Sequence, residues 1–195
     1  MIAELLTAPA RKTGAATELS GIEWAVREIM ISVGGPIAER MTCRRESVER
    51  VVAVHEAGHV VVQFLRGKRL AGASIVPWPG HSLGRAASRK PTPEDFKEPP
   101  TTDEQMASGL AHIGGLDRVQ IEASTEALLT DHWPLVRRLA DVLVERKVIS
   151  ARRARRLLYK AQRKELRRAR TVAEKDRRNQ QAWAAETRKA LGQVA

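Results

Sequence analysis

The stretch VVAVHEAGHVVVQFLRG, residues 51–67, sets His55 and His59 four residues apart in a run of small and β-branched apolar side chains, with Glu56 directly after the first histidine. Ser47 stands ahead of the run as an N-cap and Gly67 behind it as a stop, so the spacing predicts one helix from about 47 to 65. A helical turn takes about 3.6 residues, which puts both imidazoles on one face. Two neutral ring nitrogens so placed can bind one Zn²⁺ at about 2.0 to 2.1 Å, leaving positions for an acidic ligand and a water. Glu56 then lies where it can act as general base on that water. The competing reading is a polar patch on a buried helix, its histidines satisfied by hydrogen bonds alone. That reading carries the cost of burying a His–Glu–His cluster among valines without a compensating ion.

Working outward, the flanking pattern predicts a mainly α-helical fold with one small β-hairpin and a long basic C-terminal helix. Before the histidines, apolar positions recur at helical spacing from Ile22 to Val33, and Gly34, Gly35 and Pro36 predict a break, with PIAERMT restarting the helix. After them, LAGASIVPW and HSLGRAAS flank the turn-forming PWPG and predict a hairpin at about 70–77 and 82–87, with Pro77 marking an edge strand. The proline-rich stretch around residues 91–100 reads as a loop or lid over the site. Helices are expected at about 103–113, 116–130 and 133–146, the last with an apolar stripe of Val136, Leu139, Ala140, Leu143 and Val144.

A length of 195 residues suits one domain with an appendage. The reading divides the chain into a flexible arm (1–19), a catalytic-type domain (20–150) and a basic helical tail (151–195). No run approaches the roughly 20 apolar residues of a membrane span, and the start lacks a secretory apolar core, so a soluble, cytoplasmic protein is expected. With Cys43 as the single cysteine, a disulfide framework and Cys-rich zinc modules are excluded. Any metal site must draw on His, Asp or Glu.

The motifs together resemble the peptidase domain of the FtsH family of zinc metallopeptidases. AVHEAGHVVV followed by GASIVPWPGHSLGRAA is similar to that family's HEAGH helix, its following strand and its LG turn. The resemblance implies a helical, zincin-like peptidase domain and a zinc-dependent endopeptidase that hydrolyses flexible or unfolded polypeptides. It implies His55 and His59 as metal ligands, Glu56 as catalytic base, and a strand from Ala73 to Pro77 whose free edge pairs with an extended substrate. Ile75, Val76, Ser82, Leu83 and Gly84 would then line the substrate. GGLDRVQIEASTEALL resembles the family helix that carries the aspartate ligand, which assigns Asp117 as the third ligand, with Glu122 and Asp131 as fallbacks. Two departures stand out. The ATPase module and membrane anchor of the family have no counterpart here, so no intrinsic ATPase is expected. The family's GGxxAE helix follows the LG turn, whereas IMISVGGPIAERM, residues 29–41, precedes HEAGH; it is either permuted or an accidental likeness. Glu39 reads equally as a carboxylate behind the ligands or as a solvated helix-end acid.

The formal charge of +11 resides in the tail. Between 151 and 170 there are 10 basic residues and one acid, and Arg152, Arg153, Arg155, Arg156, Arg163, Lys164, Arg167 and Arg168 are the candidate contacts for nucleic acid. Tyr159 is the one aromatic in that stretch, so contact with phosphates is expected rather than stacking. The alternative readings are a solvated helix, or one that docks on an acidic protein. The alternative reading of the whole chain is a catalytically idle peptidase-like protein whose basic tail binds nucleic acid.

Overall fold

The computed structural model describes residues 21–42, 46–77, 85–87 and 102–192. Along these residues run α1 (Gly21–Arg40), α2 (Val48–Leu65), β1 (Gly72–Ser74), β2 (Arg85–Ala87), α3 (Asp103–Gly114), α4 (Arg118–Asp131), α5 (Trp133–Arg146), β3 (Val148–Ser150) and α6 (Ala151–Gly192). The mainly helical class with a small antiparallel hairpin and a long basic terminal helix is as expected.

The histidine helix begins where its sequence says it should. The Ser47 side chain accepts from the Arg50 N–H at 3.2 Å, satisfying one of the free donors at the helix start. At the other end Gly67 has φ 71°, and the N–H groups of Lys68 and Gly67 return to the carbonyls of Gln63 and Phe64. That reciprocal pair of bonds closes the helix in a left-handed glycine turn.

α1 is apolar on nearly every side, and accordingly it is buried on nearly every side, packed against α2, α3 and α4. Val26, Ile29, Met30 and Ile37 from α1 join Val54 and Val61 of α2, and Leu135, Leu139 and Leu143 of α5 complete the core over α2. The break expected at Gly34–Gly35–Pro36 is absent: α1 continues through Pro36 to Arg40. Pro36 removes one helical N–H, but dense packing holds the flanking turns in place, and the glycines serve another purpose. A Cβ on Gly58 would overlap the Gly34 carbonyl oxygen and stand 2.7 Å from the Ala38 Cβ. The two helices therefore cross with their backbones in contact.

The hairpin is present but shorter than expected, and it is part of a three-stranded antiparallel sheet in the order β2-β1-β3. β1 thus occupies the centre, which corrects the expectation that its edge is free for substrate. Ala73 pairs with Ala86 on one side and Ile149 on the other, and the Ile75 N–H donates to the Lys147 carbonyl at 2.8 Å. The unforeseen strand β3 arises because Lys147 adopts φ 63° and turns the chain sharply out of α5.

By compactness the chain divides after Leu158. The first unit includes the opening turns of α6, where Ala154 and Leu158 are buried, so the body reaches past the expected boundary at residue 150. The second unit, from Tyr159 onward, is the remainder of α6 as far as it is described. Among the described residues no helix is long and apolar enough to cross a membrane.

Candidate metal centre

His55 and His59 project from α2 toward α1 with their Nε2 atoms 3.1 Å apart. This proximity is permitted by Gly35: a Cβ there would stand 2.7 Å from the His55 Nε2 and closer still to that of His59. The far nitrogens are both engaged. His59 Nδ1 donates to the Ile31 carbonyl at 2.7 Å, and His55 Nδ1 donates to Glu39 Oε2 at 2.9 Å. A carbonyl and a carboxylate can only accept, so each neutral ring keeps its proton on Nδ1 and presents a lone pair at Nε2.

A third electron-pair donor completes the group. Asp103 Oδ2 lies 3.3 Å from His55 Nε2 and 3.1 Å from His59 Nε2. Bonds of about 2.0 to 2.1 Å at a tetrahedral zinc imply ligand-to-ligand separations of about 3.3 Å, close to all three distances. Three lone pairs this near one another repel unless a cation lies between them. Either a metal ion or a proton on one ring supplies it, and the chemistry of the donor set, two imidazoles and a carboxylate, suits zinc.

The titration behaviour of the ion-free cluster follows from the same crowding. Burial pulls the His55 pKa down, but hydrogen bonds to Asp103 and Glu39 and the nearby Glu56 charge outweigh it and push it up to about 9. Burial opposes ionisation of Asp103 too, yet its bonds to both histidines hold its carboxyl well below the usual carboxylate range. Glu56 differs. It is buried, its Oε2 has no hydrogen-bond partner among the described residues, and burial pushes its pKa up to about 7 against the opposing pull of the two histidines.

The third ligand position is a correction to the sequence reading. Asp117, assigned there by resemblance, is not beside the histidines: it is exposed at the N-cap of α4, where Oδ1 accepts from the Gln120 N–H at 3.2 Å. Of the fallbacks, Glu122 is bonded to Arg118 at 2.7 Å and Asp131 closes α4 exposed. Asp103 instead is the first residue of α3, held there by a reciprocal cap in which Thr102 Oγ1 accepts from Gln105 N–H and Gln105 Oε1 accepts from Thr102 N–H. Next to it Glu104 is gripped by Arg118, at 2.6 Å from Nη2, which ties the starts of α3 and α4 together. The signal was present in TDEQ, residues 102–105, a capping pattern that locks an aspartate into a helix's first turn. Asp103 opens α3 and Asp117 caps α4, and packing brings the first of them to the histidines.

Among the candidate substrate residues, Ile75 is buried and Val76 half exposed, while Ser82, Leu83 and Gly84 lie outside the described residues, as do the proline-rich stretch, residues 1–20 and Cys43. On α6, Arg152, Arg153, Arg155, Arg156, Arg163, Lys164, Arg167 and Arg168 are all exposed, and none is paired with an acid among the described residues. No protein-family model, curated protein or solved structure matches the chain.

Proposed function

We propose that this protein is a zinc-dependent endopeptidase acting on flexible or unfolded polypeptide, with His55, His59 and Asp103 as metal ligands and Glu56 as general base. One observation carries the reading: three lone-pair donors converge at tetrahedral spacing while the outer nitrogen of each histidine is fixed by an acceptor. The orphaned, buried Glu56 Oε2 supports it, since a carboxylate without partner in a protein interior is costly unless a solvent molecule or substrate group engages it.

When bound, the zinc would supply Lewis acidity, polarising the scissile carbonyl and drawing the pKa of a water toward about 7. The chain's own residues do the rest. Glu56 takes one proton from the attacking water as the water's oxygen bonds to the carbonyl carbon. It then returns that proton to the amide nitrogen as the C–N bond breaks, so the amine leaves neutral and Glu56 is restored. Glu39 and the Ile31 carbonyl keep the two imidazoles in one tautomer and orientation throughout. For the substrate, β2 is the outer strand of the sheet that packs beside α2, and strand addition there would use main-chain hydrogen bonds with little side-chain preference.

The test is elemental analysis of the purified protein together with cleavage of a disordered, fluorophore-labelled polypeptide. Wild type should hold about one zinc per chain and cleave; Glu56→Gln should hold the same zinc and not cleave. Zinc absent from folded wild type even after incubation with the ion, or a Glu56→Gln variant that cleaves as fast as wild type, sinks the proposal.

A further inference from the structure

The basic residues of α6 follow the helix period. At about 100° per residue, Lys160, Arg163, Lys164, Arg167, Arg168 and Arg170 of the second unit all fall within an arc of about 160°. Each is exposed, and none has an acidic partner among the described residues. The six lie within eleven residues, ten steps or about 15 Å of helix axis at the usual rise.

We infer that this face of α6 binds the phosphodiester backbone of a nucleic-acid duplex. The density of unpaired positive charge calls for a polyanion with closely spaced charges, and a duplex presents one about every 1.7 Å of its axis. Most of the charges are arginines, whose planar forks match phosphate oxygens in a way ammonium groups do not. An α-helix with its side chains, about 10 to 12 Å across, fits the major groove, which is about 12 Å wide. Single strands are disfavoured, because Tyr159 is the one aromatic between residues 151 and 170 and bases would find no stacking platform. A membrane surface is disfavoured too: the rest of the circumference offers Leu166 and Val172 but is interrupted by Gln162, Asp176 and alanines, too little to insert. The contact is to phosphates, so binding is indifferent to base sequence.

The experiment uses the full chain and fluorescence anisotropy with labelled 30-base-pair duplexes, one of DNA and one of RNA, between 50 and 200 mM salt. Expected is binding to at least one duplex, with the logarithm of the association constant falling by about 4 to 5 per decade of salt. The combined variant Arg163→Gln, Lys164→Gln, Arg167→Gln, Arg168→Gln should lower that slope by about 3 to 4 and weaken binding at least about tenfold at the higher salt. Its helical circular dichroism and cooperative thermal unfolding serve as the check that it is folded. No binding at 50 mM salt, or binding unchanged in the four-site variant, overturns the inference. So does tighter binding to polyglutamate, or to vesicles of phosphatidylcholine with one-third phosphatidylserine, than to either duplex. Glu56→Gln should bind duplex as wild type does, so this result stands or falls apart from the peptidase proposal.

Discussion

At the scale of single residues the site rests on which acid stands by the histidines. Asp103→Ala should abolish stoichiometric zinc while leaving a folded protein. Asp117→Ala should keep the zinc and lose only a helix cap, about 0.5 to 2 kcal/mol, read as a small drop in melting temperature. Equal loss of zinc in both variants would return Asp117 to the ligand set. Glu39 accepts from the outer nitrogen of His55 and is half exposed, so its removal costs little packing. Glu39→Ala is expected to weaken zinc binding by about 10- to 100-fold, measured by competition with a chromogenic chelator.

Among the elements, the α1–α2 crossing decides whether the site can exist. Alanine is a better helix former than glycine by about 1 kcal/mol, so helix propensity alone predicts that any helical Gly→Ala substitution stabilises. Packing reverses the sign at Gly58, where a methyl meets Gly34 and Ala38: Gly58→Ala should destabilise by about 1 to 3 kcal/mol or more. Gly109 of α3 is exposed with open space around it, and Gly109→Ala should stabilise by about 0.5 to 1 kcal/mol. Thermal or denaturant unfolding of the pair decides the matter; destabilisation at both positions would mean that α3 is not the regular helix described. The element scale is also where the sequence reading was weakest. Gly-Gly-Pro looks like a helix break, yet here the glycines permit close approach, and the chain pattern cannot say which purpose applies. Strand β3 was invisible for a related reason: the turn that creates it uses Lys147 at positive φ, where local rules look for glycine.

For the whole molecule, zinc would join α2 to α3 across α1, linking stability to metal. At free zinc one hundred times its dissociation constant the folded state gains about 2.7 kcal/mol, which in a chain of this length raises the melting temperature by about 5 to 11 °C over chelated protein. A melting curve indifferent to chelation would argue that no ion bridges these helices. The compact body ends at Leu158, whose side chain is buried, so a chain truncated after that residue should unfold cooperatively and keep its zinc. Cutting after Ser150 instead removes Ala154 and Leu158 from the core and should lower stability by about 2 to 5 kcal/mol.

The sequence by itself determined the histidine helix with both its caps, the positions of the helices that follow it, the existence of a hairpin and the basic character of the terminal helix. These are local properties, written in spacing, capping residues and composition within a turn or two of chain. What only the tertiary structure decided was which distant groups meet: Gly35 under the imidazoles, Glu39 and the Ile31 carbonyl behind them, Asp103 rather than Asp117 in front, and β3 on the far side of β1. Asp103 and Asp117 both stand at helix starts, and it is the contact of α3 with α1, next to α2, that brings Asp103 to the two histidines.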